Sequence, residues 1–220
     1  MKTLLPLSCV CAALSLAAPA RAADVNELVQ QLQSVDSGSR REAASALADL
    51  GAEAKPAVPA LAQALRDKDL YVRRFAAKAL GNLGADAQPA VPALAKALKD
   101  DKKQVAEAAA DALGKVHPGQ AGVTPLAGVL KDKNAETSVR RKAAEALGKI
   151  GPEAKDAVRA LTDALKDREI RTEAAISLGE IGPGAKAAVP ALSAGAAEKG
   201  KDKVFKKAAA DALKKIQAGK

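Results

Sequence analysis

Tryptophan is absent, and the aromatic share is 1%, made up of Tyr71, Phe75 and Phe205. Yet 48% of the residues are hydrophobic. A chain so composed lacks the large side chains that fill a thick globular core. It can fill a thin one, in which Ala and Leu let helices approach closely. Ala, Leu, Lys and Glu are also strong helix formers, so an all-α architecture is expected. The same scarcity removes the aromatic platforms on which single-stranded nucleic acids stack.

Histidine occurs once, as His117. This excludes a histidine-rich zinc site, and paired His-Glu iron motifs cannot be matched. There is no P-loop and no G-x-G-x-x-G after a strand. Cysteine is confined to Cys9 and Cys11, both inside "MKTLLPLSCVCAALSLAAPARA". That stretch carries one early positive charge, an apolar run from Leu4 to Ala18 and a small–x–small ending at 20–22, the order of an export signal. The run is short for a membrane span; an uncleaved anchor is the alternative. Residues 1–22 are therefore expected to be a cleaved signal peptide, and the chain to be exported, periplasmic or secreted. The mature part, 23–220, has no cysteine, hence no disulfide, thiolate metal site or cysteine nucleophile. Loss of Lys2 and Arg21 leaves 33 basic against 26 acidic side chains. That is a moderate positive balance, which favours solubility and weak attraction to acidic surfaces.

What the chain has in abundance is repetition. "VRRFAAKALGNLG" at 72–84 returns as "VRRKAAEALGKIG" at 139–151 and "IRTEAAISLGEIG" at 170–182. Aligned on the last residue, the copies end at Gly51, Gly84, His117, Gly151, Gly182 and Gln217, spaced by 33, 33, 34, 31 and 35. A period in the low thirties is the signature of a solenoid. A second phrase interleaves, as in "AVPALAQALRD" at 57–67 and "AVPALAKALKD" at 90–100. Each repeat is thus two helical phrases, at approximately 24–51, 54–84, 87–117, 120–151, 154–182 and 186–217. Val72, Ala76, Ala79, Leu80 and Leu83 form one buried stripe at helical spacing. The closing glycines suit a left-handed cap, and His117 takes the same place in the third copy. Pro56 and Pro89 are expected in the first turn of the following helix, with Pro59, Pro92 and Pro190 bending that helix near its start or costing it a hydrogen bond.

A proline-containing first helix, an Asp in the turn, and then Val-Arg-x-x-Ala-Ala-x-Ala-Leu-Gly resemble the HEAT repeat. More narrowly, they are similar to the bacterial HEAT-like repeats of the phycobilin-lyase type. The resemblance covers the mature chain and implies a right-handed α-solenoid, an alpha-alpha superhelix of six HEAT-like helical hairpins. It also implies roles for two sets of residues. Arg40, Arg73, Arg140 and Arg171, with the turn acids Asp67, Asp100, Asp132 and Asp167, would form a structural ladder between neighbouring repeats. An Arg fork suits carboxylate and backbone acceptors. Ala106 interrupts the series. The outward face of the second helices would line the concave surface, and it offers Tyr71, Arg74, Phe75, Lys78, Arg141, Glu145 and Lys149 as a partner-binding face. Eight basic and six acidic residues share that face, so it is mixed in sign. Asp111–Lys115, Glu145–Lys149 and Asp211–Lys215 stand acid-first at i, i+4, the favourable order for local pairing. Tyr71 and Phe75 would either anchor a partner or pack between repeats.

No catalytic constellation, metal site or cofactor site is expected. The fold alone does not assign a function. The reading that follows is a non-catalytic protein–protein interaction scaffold outside the cytoplasm. Its partner would be another protein, with no nucleic acid, no membrane contact after signal cleavage, and a monomeric state. The alternative carried by the resemblance is a phycobilin-lyase-like chromophore-handling enzyme or chaperone.

Overall fold

A computed structural model describes residues 25–200 and 202–218. The expected export signal at 1–22 lies outside them. Among the described residues every regular element is helical. The chain runs α1 (25–31), α2 (Ser37–Leu50), α3 (Val58–Ala64), α4 (Leu70–Asn82), α5 (Val91–Ala97), α6 (Lys103–Leu113), α7 (Gly119–Lys131), α8 (Thr137–Ile150), α9 (Val158–Ala164), α10 (Arg171–Ile181), α11 (Val189–Ala196) and α12 (Lys203–Ala218). Consecutive pairs make six hairpins, and the even-numbered helices pack in order, α2 on α4 through to α10 on α12. The result is the α-solenoid that the repeat pattern demands.

The approach to the first helix of each hairpin differs from the expectation. Four repeats enter through a tight 3-10 stretch, Gly51–Ala57, Gly84–Ala90, Gly151–Ala157 and Gly182–Ala188, which runs directly into α3, α5, α9 and α11. Pro56 and Pro89 lie inside these stretches rather than at the start of an α-helix. Pro59, Pro92 and Pro190 occupy the first turn of the α-helix proper, where a missing N–H leaves no bond unmade. In two repeats a kink falls inside the 3-10 stretch, at Ala154 and Ala185, rather than in the α-helix. The fourth repeat departs again: α7 starts without a 3-10 lead and carries Pro125 within it.

Gly51, Gly84, Gly151 and Gly182 open these stretches with φ between 56° and 70°. His117 adopts φ 51° at the matching position. It is the one residue with a side chain that does so among the described residues, in a region that glycine enters without steric cost. Its carbonyl accepts a 3.1 Å hydrogen bond from Gln88 Nε2, which ties this turn to the preceding repeat.

The core is a thin slab. Leu47, Leu80, Leu113, Leu147 and Leu178 from the second helices, and Leu61, Leu94, Leu126, Leu161 and Leu192 from the first, are fully buried. They recur at the repeat spacing, as two columns of one side chain per repeat. Alanine fills the remaining contacts, among them Ala43, Ala76, Ala109, Ala143 and Ala174. Each leucine contributes about 2 kcal/mol of apolar transfer energy, but only where the neighbouring hairpin covers it. That dependence makes the array stable as a stack and not as separate hairpins.

The second helices approach each other through glycine. A Cβ added at Gly81 would lie 3.0 Å from Ala112 Cα, one at Gly114 3.0 Å from Ala146 Cα, one at Gly148 2.7 Å from Ser177 Oγ, and one at Gly179 3.0 Å from Ala212 Cα. Each glycine thus seats on a small residue of the next repeat. The Ser177 hydroxyl lies against Gly148 and donates to Ala144 O at 2.7 Å, a buried bond. Gly128, on α7, has nothing within 4 Å of the same added atom. Two substitutions with opposite expected signs follow. Gly128→Ala gains helix propensity and should raise unfolding free energy by about 0.5–1 kcal/mol. Gly81→Val should lower it by about 2 kcal/mol, because the new methyls meet backbone that cannot yield. Urea denaturation of the two variants checks both.

Candidate functional site

Two surfaces run the length of the stack. One follows the turns between the two helices of each hairpin. The other is the open face of the second helices.

Along the turns, arginines reach into the following repeat. Arg40 donates from Nε and Nη2 to Asp67 at 2.7 and 2.9 Å, and from Nη1 to the carbonyls of Ser34 and Val35. Arg73 repeats the arrangement on Asp100 at 2.7 and 2.8 Å, with Nη1 on the carbonyls of Asp67 and Lys68. Arg140 bonds Asp167 and the carbonyl of Ala135. Arg171 departs from the pattern: it takes Asp202 from Nε and Nη2, and Glu198 from Nη1, while Phe205 lies 4.3 Å beneath its guanidinium. Asp132 has no arginine, since the position that would supply it is Ala106. The carboxylates are posed by their own turns. Asp67, Asp100, Asp132 and Asp167 each accept from the backbone N–H two residues on, at 2.8 to 3.0 Å.

These contacts set the acidity of Asp67, Asp167 and Asp202. Burial pushes Asp67 up, but the Arg40 bonds and the Asp69 amide outweigh it, and the carboxyl is held below the usual carboxylate value. Asp167 behaves alike, with burial opposed by the Glu169 amide and Arg140. For Asp202 the Phe205 amide leads, followed by Arg171.

The open face is tied together across repeats. Lys149 leaves Glu145 on its own helix and reaches Asp111 on the preceding one at 2.5 Å, while Glu145 takes Lys142 at 2.7 Å. Lys215 likewise passes Asp211 to reach Glu180 at 2.6 Å. Of the three local pairs expected, Asp111–Lys115 forms, at 2.7 Å; the other two are replaced. The cause is the helix approach described above. The Lys149 and Lys215 stems cross the glycines of the preceding repeat, with Lys149 Cδ 3.3 Å from the Cβ position of Gly114 and Lys215 Cδ 3.5 Å from that of Gly179. Without a side chain in the way, the ammonium reaches across. Lys78 contacts Asp49 at 3.4 Å, and Arg141 donates to the carbonyl of Glu169 at 2.8 Å. Arg74 is exposed beside Gln104 and Glu107 in a shallow cleft. Tyr71 and Phe75 are parted: Phe75 is half-buried against the core, whereas Tyr71 is 44% exposed, with the Arg41 guanidinium 5.1 Å from its ring centre.

One break in the charged pattern escaped the sequence reading. Ile176 occupies the position held by Lys78, Asp111, Glu145 and Asp211 in other repeats, and it is 48% exposed. With Val204, 68% exposed, it opens a cleft of about 570 Å³ between α10 and α12, floored by Gly179, Ala208 and Ala212 and flanked by Lys203 and Lys207. The available signal was an apolar residue in an otherwise polar column. No group of His, Cys, Asp and Glu that could hold a metal ion occurs among the described residues, and no described helix is long and apolar enough to cross a membrane.

Arg73 and Asp100 are nearly covered, with 11% and 10% of their side chains exposed. Arg73→Ala strands that carboxylate and should cost about 3 kcal/mol in chemical denaturation. Asp67, Asp167 and Asp202 have folded-state values below their unfolded ones. Their contribution is complete above the unfolded value of about 4 and is lost as pH falls through the lower folded values. Stability should hold from pH 7 to about pH 5 and decline below about pH 4, less steeply in Asp67→Asn. Denaturation midpoints across that range check this.

The HEAT-repeat family model matches residues 25–114, 58–137, 91–170 and 123–214, which together span the described solenoid. No curated protein matches the sequence. Among solved structures, an engineered protein is 30% identical over 89% of this chain and 97% of its own, with a TM-score of 0.67. A designed armadillo repeat protein in complex with the peptide (KR)4 is 22% identical, covers 87% of this chain and 99% of its own, and has a TM-score of 0.66. The complex of CpcE and CpcF of phycocyanin lyase from Nostoc sp. is 24% identical over 86% of each chain, with a TM-score of 0.60. The last two likenesses are likenesses of fold. By the repeats that fill it from 25 to 214, this chain belongs to the HEAT-repeat family.

Proposed function

We propose that the chain is a non-catalytic scaffold that binds another protein outside the cytoplasm. The observation that carries this reading is the Ile176–Val204 cleft. Elsewhere on the open face three lysines are tied to the neighbouring repeat: Lys78 to Asp49, Lys149 to Asp111, Lys215 to Glu180. Here two exposed apolar side chains stand together, beside Lys203 and Lys207, which have no ion pair among the described residues. An apolar cleft with a basic rim fits a polypeptide that inserts an apolar side chain flanked by carboxylates. Apolar contact of this kind supplies binding energy, and the rim charges steer association. The peptide complex of the designed armadillo protein is consistent with a stack of this shape serving as a peptide receptor. The export part rests on the composition of residues 1–22. The chromophore-handling alternative rests on the likeness of the repeats alone.

A photo-crosslinking amino acid at Thr172, on the wall of the cleft, should capture one reproducible partner through a segment that joins apolar and acidic residues. Ile176→Glu should lose the capture while keeping the helical circular dichroism signal. Absence of capture, or capture indifferent to Ile176→Glu, overturns the binding reading. The mass of the protein recovered from its native host should correspond to a chain starting at Ala23; a retained Met1 overturns export with cleavage.

A further inference from the structure

We propose that the joint between the third and fourth repeats is a seat for a guanidinium group supplied from outside the chain. The first two joints show what the seat looks like when filled from within. Arg40 lies on the Asp67 carboxylate through Nε and Nη2, and on the carbonyls six and five residues before it through Nη1. Arg73 does the same on Asp100 and on the carbonyls of Asp67 and Lys68. At the third joint the arginine position is Ala106. The acceptors remain. Asp132 is the turn carboxylate, and Asp100 and Asp101 own the carbonyls six and five residues before position 106.

Asp132 makes the same turn bond as its counterparts, and it stands exposed where they are covered by their arginines. Its Oδ1 accepts from the Asn134 amide at 2.9 Å, just as Asp67 accepts from Asp69 at 2.8 Å and Asp100 from Lys102 at 2.9 Å. That bond, made within the turn, fixes the carboxylate independently of any arginine. The two sibling carboxylates, so fixed, each carry a bidentate guanidinium. Asp132 carries no cation among the described residues. In front of it is a cleft of about 690 Å³ whose walls include both Ala106 and Asp132, ample for a guanidinium and the stem behind it.

The neighbouring lysines do not fill the seat. Lys99, Lys102 and Lys103 border the cleft, but Lys102 is engaged with Asp101 at 2.9 Å, and none of the three reaches Asp132. An ammonium is a compact point charge, whereas a carboxylate with adjoining carbonyls matches the flat fork of a guanidinium. The cleft shares no lining residue with the Ile176 cleft, so this seat stands apart from the proposed binding of an apolar segment.

The test is a titration of the isotope-labelled chain with N-acetyl-arginine amide, followed by the backbone amide resonances of residues 100–106 and 132–136. Saturable shifts confined to those segments are expected, with a Kd of roughly 1–30 mM, in keeping with one partly exposed charge-assisted contact. N-acetyl-lysine amide and citrulline should bind at least fivefold more weakly, and Asp132→Asn should weaken arginine binding by a similar factor. Ala106→Arg should abolish it, because the seat is then filled from within. An arginine-bearing peptide that binds more tightly than the blocked amino acid points to a polypeptide as the source; equal affinity points to a small guanidinium compound. No shift with arginine, an equal shift with lysine, or binding unchanged in Ala106→Arg overturns the proposal.

Discussion

The structure depends on how closely the second helices pack. At Gly81, Gly114, Gly148 and Gly179 the backbone of one repeat rests against a small residue of the next, where a Cβ would be crowded at 2.7 to 3.0 Å. This spacing favours a core of small and aliphatic side chains, with Phe205 the one buried aromatic ring among the described residues. It places Asp67, Asp100, Asp167 and Asp202 within reach of an arginine from the repeat before. It also clears the path by which Lys149 and Lys215 cross to acids on the neighbouring helix. Burial, the arginine ladder and the charged face are three results of one contact distance.

The period, the apolar stripe of the second helices and the series of turn acids and arginines were legible because each is a pattern within one helix or between equivalent positions. The contact glycines were harder to see. The glycines that close four of the phrases announce themselves as caps, whereas Gly81, Gly148 and Gly179 lie inside the helix, where glycine costs helix stability. Only the neighbouring helix explains them. The charge pairs went astray for the same reason. An i, i+4 rule weighs Lys149 against Glu145 on a single helix, and it carries no information about an acid that packing brings closer from another. Ile176 was visible as a misfit in its column, but its exposure could not be inferred from a column in which apolar usually means buried.

The irregularities gather in the middle of the chain. His117 replaces a glycine in a left-handed turn, α7 lacks the 3-10 lead of its counterparts, and Ala106 withholds the ladder arginine. The path from turn acid to the next buried valine is also longer there, Asp132 to Val139 against Asp100 to Val105. Each departure alters the same joint, and together they change its surface without disturbing the buried leucines on either side.

That joint also governs how the molecule comes apart. In a linear array every repeat holds only its neighbours, so cooperativity is passed along one interface at a time. A link with no ladder arginine at all is the natural boundary between two foldons, one ending with α6 and the other beginning with α7. The substitution at position 106 thereby gives a continuous rod a preferred point of yield, and partial unfolding there would leave each half with its own leucine columns intact.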